Sequence, residues 1–236
     1  MSDYLVPVFD LGGVFVDWNP MYLFRKLFKT EEEAQWFQDH VCTKDWNLEF
    51  DAGDIYAEGV AKLITRHPRY WREIQAYDTR WKETLGPLIQ GTIDIHDELI
   101  AADLPTFAIT NFSWEKWISC LNDWPFLEKF DGVIVSGLER LVKPDPRIYR
   151  VFCERYSLAP ESCVFIDDSE PNIIAARRFG MKAILFTSPE QLRADLIALG
   201  MPLKAVAPAV KKAAAKKAPT KKPAAKAPAK KAARKR

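Results

Sequence analysis

Short apolar runs that stop at a polar residue recur along this chain, and their spacing is the strongest constraint on its fold. Leu5-Val6-Pro7-Val8-Phe9 stops at Asp10, Thr106-Phe107-Ala108-Ile109 at Thr110-Asn111, Val133-Ile134-Val135 at Ser136, and Cys163-Val164-Phe165-Ile166 at Asp167-Asp168; Ala183-Ile184-Leu185-Phe186 follows as a fifth run. Helical segments separate the later runs, at about 92–102, 114–121, 146–156, 172–179 and 190–199. Apolar strands without polar alternation, separated by helices, predict a parallel sheet covered on both faces. The expected class is therefore α/β, a Rossmann-like sheet of five core strands with helices on either side. In such sheets ligands bind beyond the carboxyl ends of the strands, which is where Asp10, Thr110-Asn111 and Asp167-Asp168 fall. Gly12-Gly13, directly after the first run, allow a sharp turn and a close backbone approach to a ligand.

Between the first run and Gly86-Pro87 the pattern is helical and rich in tryptophan. Thr30 before Glu31-Glu32-Glu33 reads as a helix start. Ile55, Val60, Leu63 and Ile64 mark one face of a helix over 53–66 that Pro68 stops, and a third helix covers 70–81. The block is expected to form a cap over the carboxyl edge of the sheet. The predicted organisation is a core of residues 1–16 and 86–202, a helical cap of 17–85, and a disordered Lys/Ala/Pro-rich tail of 203–236.

The overall charge of +2 conceals two opposite halves. From Lys204 onward there are thirteen Lys or Arg and no Asp or Glu, whereas the residues before it carry 21 basic and 32 acidic side chains, a net of −11. A segment with no apolar face and repelling like charges does not fold alone. It resembles linker-histone-like tails, which implies nonspecific binding of nucleic acid through its phosphates; the alternative is a solubilising extension without a partner. Cys42, Cys120, Cys153 and Cys163 show neither CxxC spacing nor neighbouring histidines, the pattern of reduced thiols in a cytoplasmic protein. No signal peptide and no membrane span are expected.

Four motifs in order, Asp10 with Gly12-Gly13, Thr110-Asn111, Lys143-Pro144 and Asp167-Asp168, each beyond a strand, resemble the haloacid dehalogenase superfamily in its members with a helical cap after the first motif. The resemblance covers about residues 6–200 and implies the strand order 3-2-1-4-5. It implies a nucleophile at Asp10, a fixed positive charge at Lys143, and a phosphoryl group held by Thr110, Asn111 and Gly13. It also implies Mg²⁺ on Asp10, the Gly12 carbonyl and Asp168, with Asp167 direct or through water. Phosphoryl transfer asks mainly for positioning and for neutralisation of spreading negative charge, and oxygen ligands of this kind suit Mg²⁺. The expected reaction is Mg²⁺-dependent hydrolysis of a small phosphorylated metabolite through an aspartyl-phosphate on Asp10.

One position departs from the resemblance. Phosphatases of the superfamily usually carry a second Asp two residues after the nucleophile as proton donor, and here that position is Gly12. Asp17, Asp45, Asp51 and Asp54 are candidate substitutes. The gap opens two alternatives: a metal-independent 2-haloacid dehalogenase, which needs no leaving-group acid, and a weakly catalytic protein tethered to nucleic acid. Against the dehalogenase stands the acidic pair Asp167-Asp168, which would repel a carboxylate substrate unless a cation intervened. Among the tryptophans, Trp18 and Trp46 are the candidates for a pocket wall.

Overall fold

The computed structural model describes residues 5–205. In chain order these form β1 (Val6–Phe9), β2 (Val16–Trp18), α1 (Met21–Leu27), α2 (Glu31–His40), α3 (Lys44–Asp51), α4 (Tyr56–Arg66), α5 (Trp71–Thr79), β3 (Leu85–Leu88), α6 (Gln90–Ala101), β4 (Phe107–Thr110), α7 (Trp114–Cys120), β5 (Gly132–Val135), α8 (Ser136–Glu139), α9 (Pro146–Tyr156), β6 (Cys163–Asp167), α10 (Glu170–Phe179), β7 (Lys182–Leu185) and α11 (Pro189–Ala198). Of the expected disordered tail, 203–236, residues 206–236 lie outside the described residues, and Leu203 packs against the core. Among the described residues no helix is long and apolar enough to cross a membrane.

Five strands make one parallel sheet in the order β5-β4-β1-β6-β7, which is 3-2-1-4-5 when the five are counted along the chain. Val8 lies opposite Phe107 on one side and Phe165 on the other, so β1 is central. Alternate side chains of each strand leave on opposite faces, as the two-residue period of a strand requires. Val8, Phe107, Ile109 and Phe165 join Ile148, Tyr149, Phe152 and Ile173 of α9 and α10 on one face. Phe9, Ala108, Val164 and Ile166 join Ile95, Leu99, Leu192 and Leu196 of α6 and α11 on the other. Both faces are dry, which is why the strand sequences show no polar alternation.

The second of these cores continues without a break into α1–α5 through Phe24, Phe37, Phe50, Tyr56 and Tyr77. The helices start where their caps dictate. Thr30 Oγ1 accepts from the Glu33 N–H at α2, Thr43 Oγ1 from the Trp46 N–H at α3, and Asp145 from the Arg147 N–H at α9, where Pro146 opens the helix. One element departs from the helical reading of the segment after the first glycine turn. Val16–Trp18 and Leu85–Leu88 pair as an antiparallel ribbon, so the chain enters and leaves the helical block side by side. Pro87, which cannot donate to a ladder, is tolerated because it lies in a two-stranded ribbon.

Candidate active site

The chain reverses direction across the sheet between β1 and β6, and the carboxyl ends of those two strands bring together residues more than 150 positions apart. Asp10 extends β1, its N–H donating to the Ile166 carbonyl at 2.7 Å. Its Oδ1 accepts from the Leu11 N–H at 2.7 Å. The following turn is closed by Gly13 N–H to Val16 O and by the Phe15 and Val16 amides to Leu11 O. Gly13 takes φ +73°, and a Cβ there would overlap the Asp168 carboxylate; a Cβ on Gly12 would meet nothing within 4 Å.

Lys143 reaches the same point from the loop before α9. Only 2% exposed, it spends all three ammonium protons: on Asp10 Oδ1 at 2.8 Å, Asp167 Oδ2 at 2.7 Å and the Ile109 carbonyl at 2.9 Å. Asn111 holds its backbone in a two-way clamp, accepting from the Lys143 N–H at 2.8 Å and donating to the Lys143 carbonyl at 3.0 Å. Asp167 is fully buried, and both of its oxygens are engaged, by Lys143, by the Ser169 N–H at 2.8 Å and by the Asn172 amide at 3.0 Å to each. Asp168 is exposed. Carboxylate oxygens of Asp10, Asp167 and Asp168 lie within 4.8 Å of one another.

Three carboxylates against one ammonium leave this point short of positive charge. Burial, and then repulsion from Asp167 and Asp168, push the Asp10 carboxyl up to about 8 despite the pull of Lys143. Burial and Asp167 likewise raise Asp168. Burial works to lower Lys143, but Asp10 and Asp167 outweigh it and hold the ammonium above its ordinary value. An oxygen-only donor set with excess negative charge is the chemistry that a hard divalent cation fits.

Above these groups opens a cavity of about 250 Å³. Asp10, Gly12, Gly13, Asn111, Lys143 and Asp168 border it, and five aromatic residues, Trp18, Trp81, Trp124, Tyr56 and Phe112, are part of its wall. Of the two tryptophans expected there, Trp18 lines the cavity; Trp46 does not and is buried against Phe50 and Tyr77. Thr110 ends β4, 1% exposed, and is not among the lining residues. Of the four candidate proton donors, Asp51 alone lines the cavity; Asp17 accepts from the Tyr22 hydroxyl, and Asp45 and Asp54 are exposed. Sequence reasoning missed the asparagines that brace the site: Asn172, and the side-chain role of Asn111. Their signal is weak, because an asparagine near a strand end or in a first helical turn reads equally well as a turn residue.

Residues 8–186 match the family of haloacid dehalogenase-like hydrolases. Over 77 residues the chain is 40% identical to mouse acyl-CoA dehydrogenase family member 10, but it spans only 7% of that protein's length. It also spans 22% of drimenol cyclase drtB of Aspergillus calidoustus. With sesquiterpene phosphatase astK of Aspergillus oryzae it shares 24% identity over 79% of this chain and 91% of that one. With (S)-2-haloacid dehalogenase 1 of a Pseudomonas it shares 24% over 74% and 73%. A HAD family enzyme of Bacteroides thetaiotaomicron, solved with magnesium and inorganic phosphate, superposes with a TM-score of 0.62 at 20% identity, over 78% of this chain and 95% of that one.

Proposed function

We propose that this chain, which belongs to the haloacid dehalogenase-like hydrolase family, is a Mg²⁺-dependent phosphatase acting on a small organic phosphate through an aspartyl-phosphate on Asp10. The observation that carries the reading is the charge imbalance around Asp10: three carboxylates and one ammonium, all but Asp168 buried. Asp10, the Gly12 carbonyl and Asp168 would hold Mg²⁺, with Asp167 contributing through water because its own oxygens are engaged by Lys143, Ser169 and Asn172. Bound there, the cation supplies charge neutralisation for the phosphoryl oxygens and for the carboxylates crowded beside them.

The protein's own groups divide the remaining work. Lys143 and the Leu11 N–H fix Asp10 Oδ1, which leaves Oδ2 to attack phosphorus. Asn111 and Gly13, which border the cavity, are assigned to the phosphoryl oxygens; Thr110, expected beside them, is buried behind the cavity wall. The aromatic walls of the cavity suit an apolar or planar organic group on the substrate, and the fungal sesquiterpene phosphatase, matched over 91% of its length, supports this class of leaving group.

A dehalogenase reading has in its favour the side-chain-free Gly12 and the likeness to the Pseudomonas enzyme. The acidic cluster opposes it, since the carboxylate of a haloacid would enter a site already over-supplied with negative charge. Organic phosphates and 2-chloro acids assayed with Mg²⁺ and with chelator separate the two. Phosphate release that chelator stops and Asp10→Asn abolishes is the expected result; chloride release indifferent to chelator would replace the phosphatase reading. The basic segment from Lys204 is proposed as an independent, nonspecific contact to nucleic acid.

A further inference from the structure

An alkoxide displaced from phosphorus needs a proton, and the residues around Asp10 have none to give. Gly12 has no side chain. All three protons of Lys143 are committed to Asp10, Asp167 and Ile109. Asp10 makes the new bond to phosphorus, and Asp168 belongs to the acidic cluster. The same cavity, however, is lined from the helical block by one further carboxyl, Asp51, the last residue of α3. Resting on the phosphatase reading of this site, we infer that Asp51 is the general acid and base of the reaction.

Asp51 is held in place from several elements. The Tyr77 hydroxyl on α5 donates to Asn47 Oδ1 at 2.7 Å, and the Asn47 amide, one turn before Asp51, donates to Asp51 Oδ2 at 3.0 Å. The Ser136 hydroxyl on α8 donates to the Asp51 carbonyl at 2.6 Å and ties down the end of the helix. The charged and titratable groups facing Asp51 are Lys143, Tyr56 on α4 and Tyr77 on α5, with the Ser113 N–H beside it at the start of α7. Both phenols are held neutral, well above their ordinary range, by burial. Although partly open to the cavity, Asp51 is packed closely by protein, and burial pushes its carboxyl up to about 7, with Lys143 and the Ser113 N–H opposing. A group that titrates near neutrality serves both as donor and as acceptor.

The steps balance. Asp10 Oδ2 forms a bond to phosphorus as the bond from phosphorus to the ester oxygen breaks, and the Asp51 proton passes to that oxygen, giving the free alcohol and an Asp51 carboxylate. Water then attacks the phosphorus of the aspartyl-phosphate and gives a proton to Asp51; the bond to Asp10 breaks, phosphate leaves and the starting state returns.

The test uses full-length protein, Mg²⁺ and two aryl phosphates of similar shape, phenyl phosphate and 4-nitrophenyl phosphate, whose phenolates differ in basicity. For Asp51→Asn, kcat/KM with phenyl phosphate should fall about 10²–10⁴-fold, and with 4-nitrophenyl phosphate less than about 10-fold. Because the second step also loses its base, a burst of nitrophenolate should precede a slow steady state with 4-nitrophenyl phosphate. As a check that needs no variant, wild-type kcat/KM for phenyl phosphate relative to 4-nitrophenyl phosphate should decline as pH rises through about 7. An equal loss of kcat/KM on both substrates, or none, overturns the role of Asp51 while leaving the phosphatase reading intact. A wild type that hydrolyses neither ester overturns that reading and this inference together.

Discussion

At Gly13 the backbone enters the left-handed region with φ +73°, and the space a side chain would take is already filled by the Asp168 carboxylate. Its neighbour Gly12 has neither restriction. Adjacent, identical residues are thus under different physical demands, and substitution by alanine should separate them. Gly12→Ala should change stability by less than about 0.5 kcal/mol, as a surface-like substitution does. Gly13→Ala should cost roughly 1–2 kcal/mol from backbone strain alone, and it should raise the Mg²⁺ concentration needed for half-maximal turnover because Asp168 must move aside. Thermal melts of both variants, with turnover across a Mg²⁺ titration, provide the measurement; equal behaviour of the two would refute the argument. The requirement at Gly13 was only half legible in the sequence. A turn glycine after Asp10 could be expected there, whereas its contact with a residue 155 positions away required the fold.

At the scale of elements, the site is where three strand ends and one loop exchange charges. Lys143 links β1, β4 and β6 through Asp10, Ile109 and Asp167, all of it buried. Removing one partner of a buried ion pair costs about 3–5 kcal/mol, so Lys143→Met should lower the urea midpoint sharply. Lys143→Met combined with Asp167→Asn should cost less than the sum of the two single changes, since each removes the partner the other leaves stranded; strict additivity would show that the pair is not coupled. Helix α3 makes a different contribution. Its Asp51 carboxyl is raised to about 7, so the folded state holds that proton more tightly than the unfolded chain does. The associated stability is complete below the ordinary carboxylate range and is lost as pH rises through about 7. Asp51→Asn should therefore be more stable relative to wild type at pH 8 than at pH 5, by urea denaturation at both; a gap that is constant or narrows with pH would contradict the buried state of the carboxyl. The five core strands were readable because their apolar runs are uninterrupted. The ribbon of β2 and β3 was not, because it joins three or four residues of mixed polarity across some seventy positions. That Asp51, and not Asp45 or Asp54, faces the cavity depends on the phase of one short helix against its neighbours, which periodicity over eight residues does not fix.

For the molecule as a whole, the organising fact is the separation of charge along the chain. Every residue assigned to chemistry lies between Asp10 and Asp168, within a stretch whose residues up to position 203 carry a net of −11, and the thirteen basic side chains from Lys204 onward have no acidic neighbour in sequence. An acidic body is repelled by nucleic acid, so any affinity of the full chain for duplex DNA has to come from the basic segment. Such binding releases counterions, and its logarithm should fall against the logarithm of salt concentration with a slope of about −0.9 for each phosphate neutralised. A chain ending at Ala205 keeps all the residues assigned to the candidate active site and should therefore keep kcat and KM for an aryl phosphate, while losing DNA binding at every salt concentration. Binding measured at two ionic strengths, beside turnover of the full and shortened chains, tests both halves of the argument. Salt-insensitive binding would rule out a phosphate-neutralising contact. Retention of binding by the shortened chain would move the contact onto the acidic body, and a large fall in turnover would make the basic segment part of the catalytic unit.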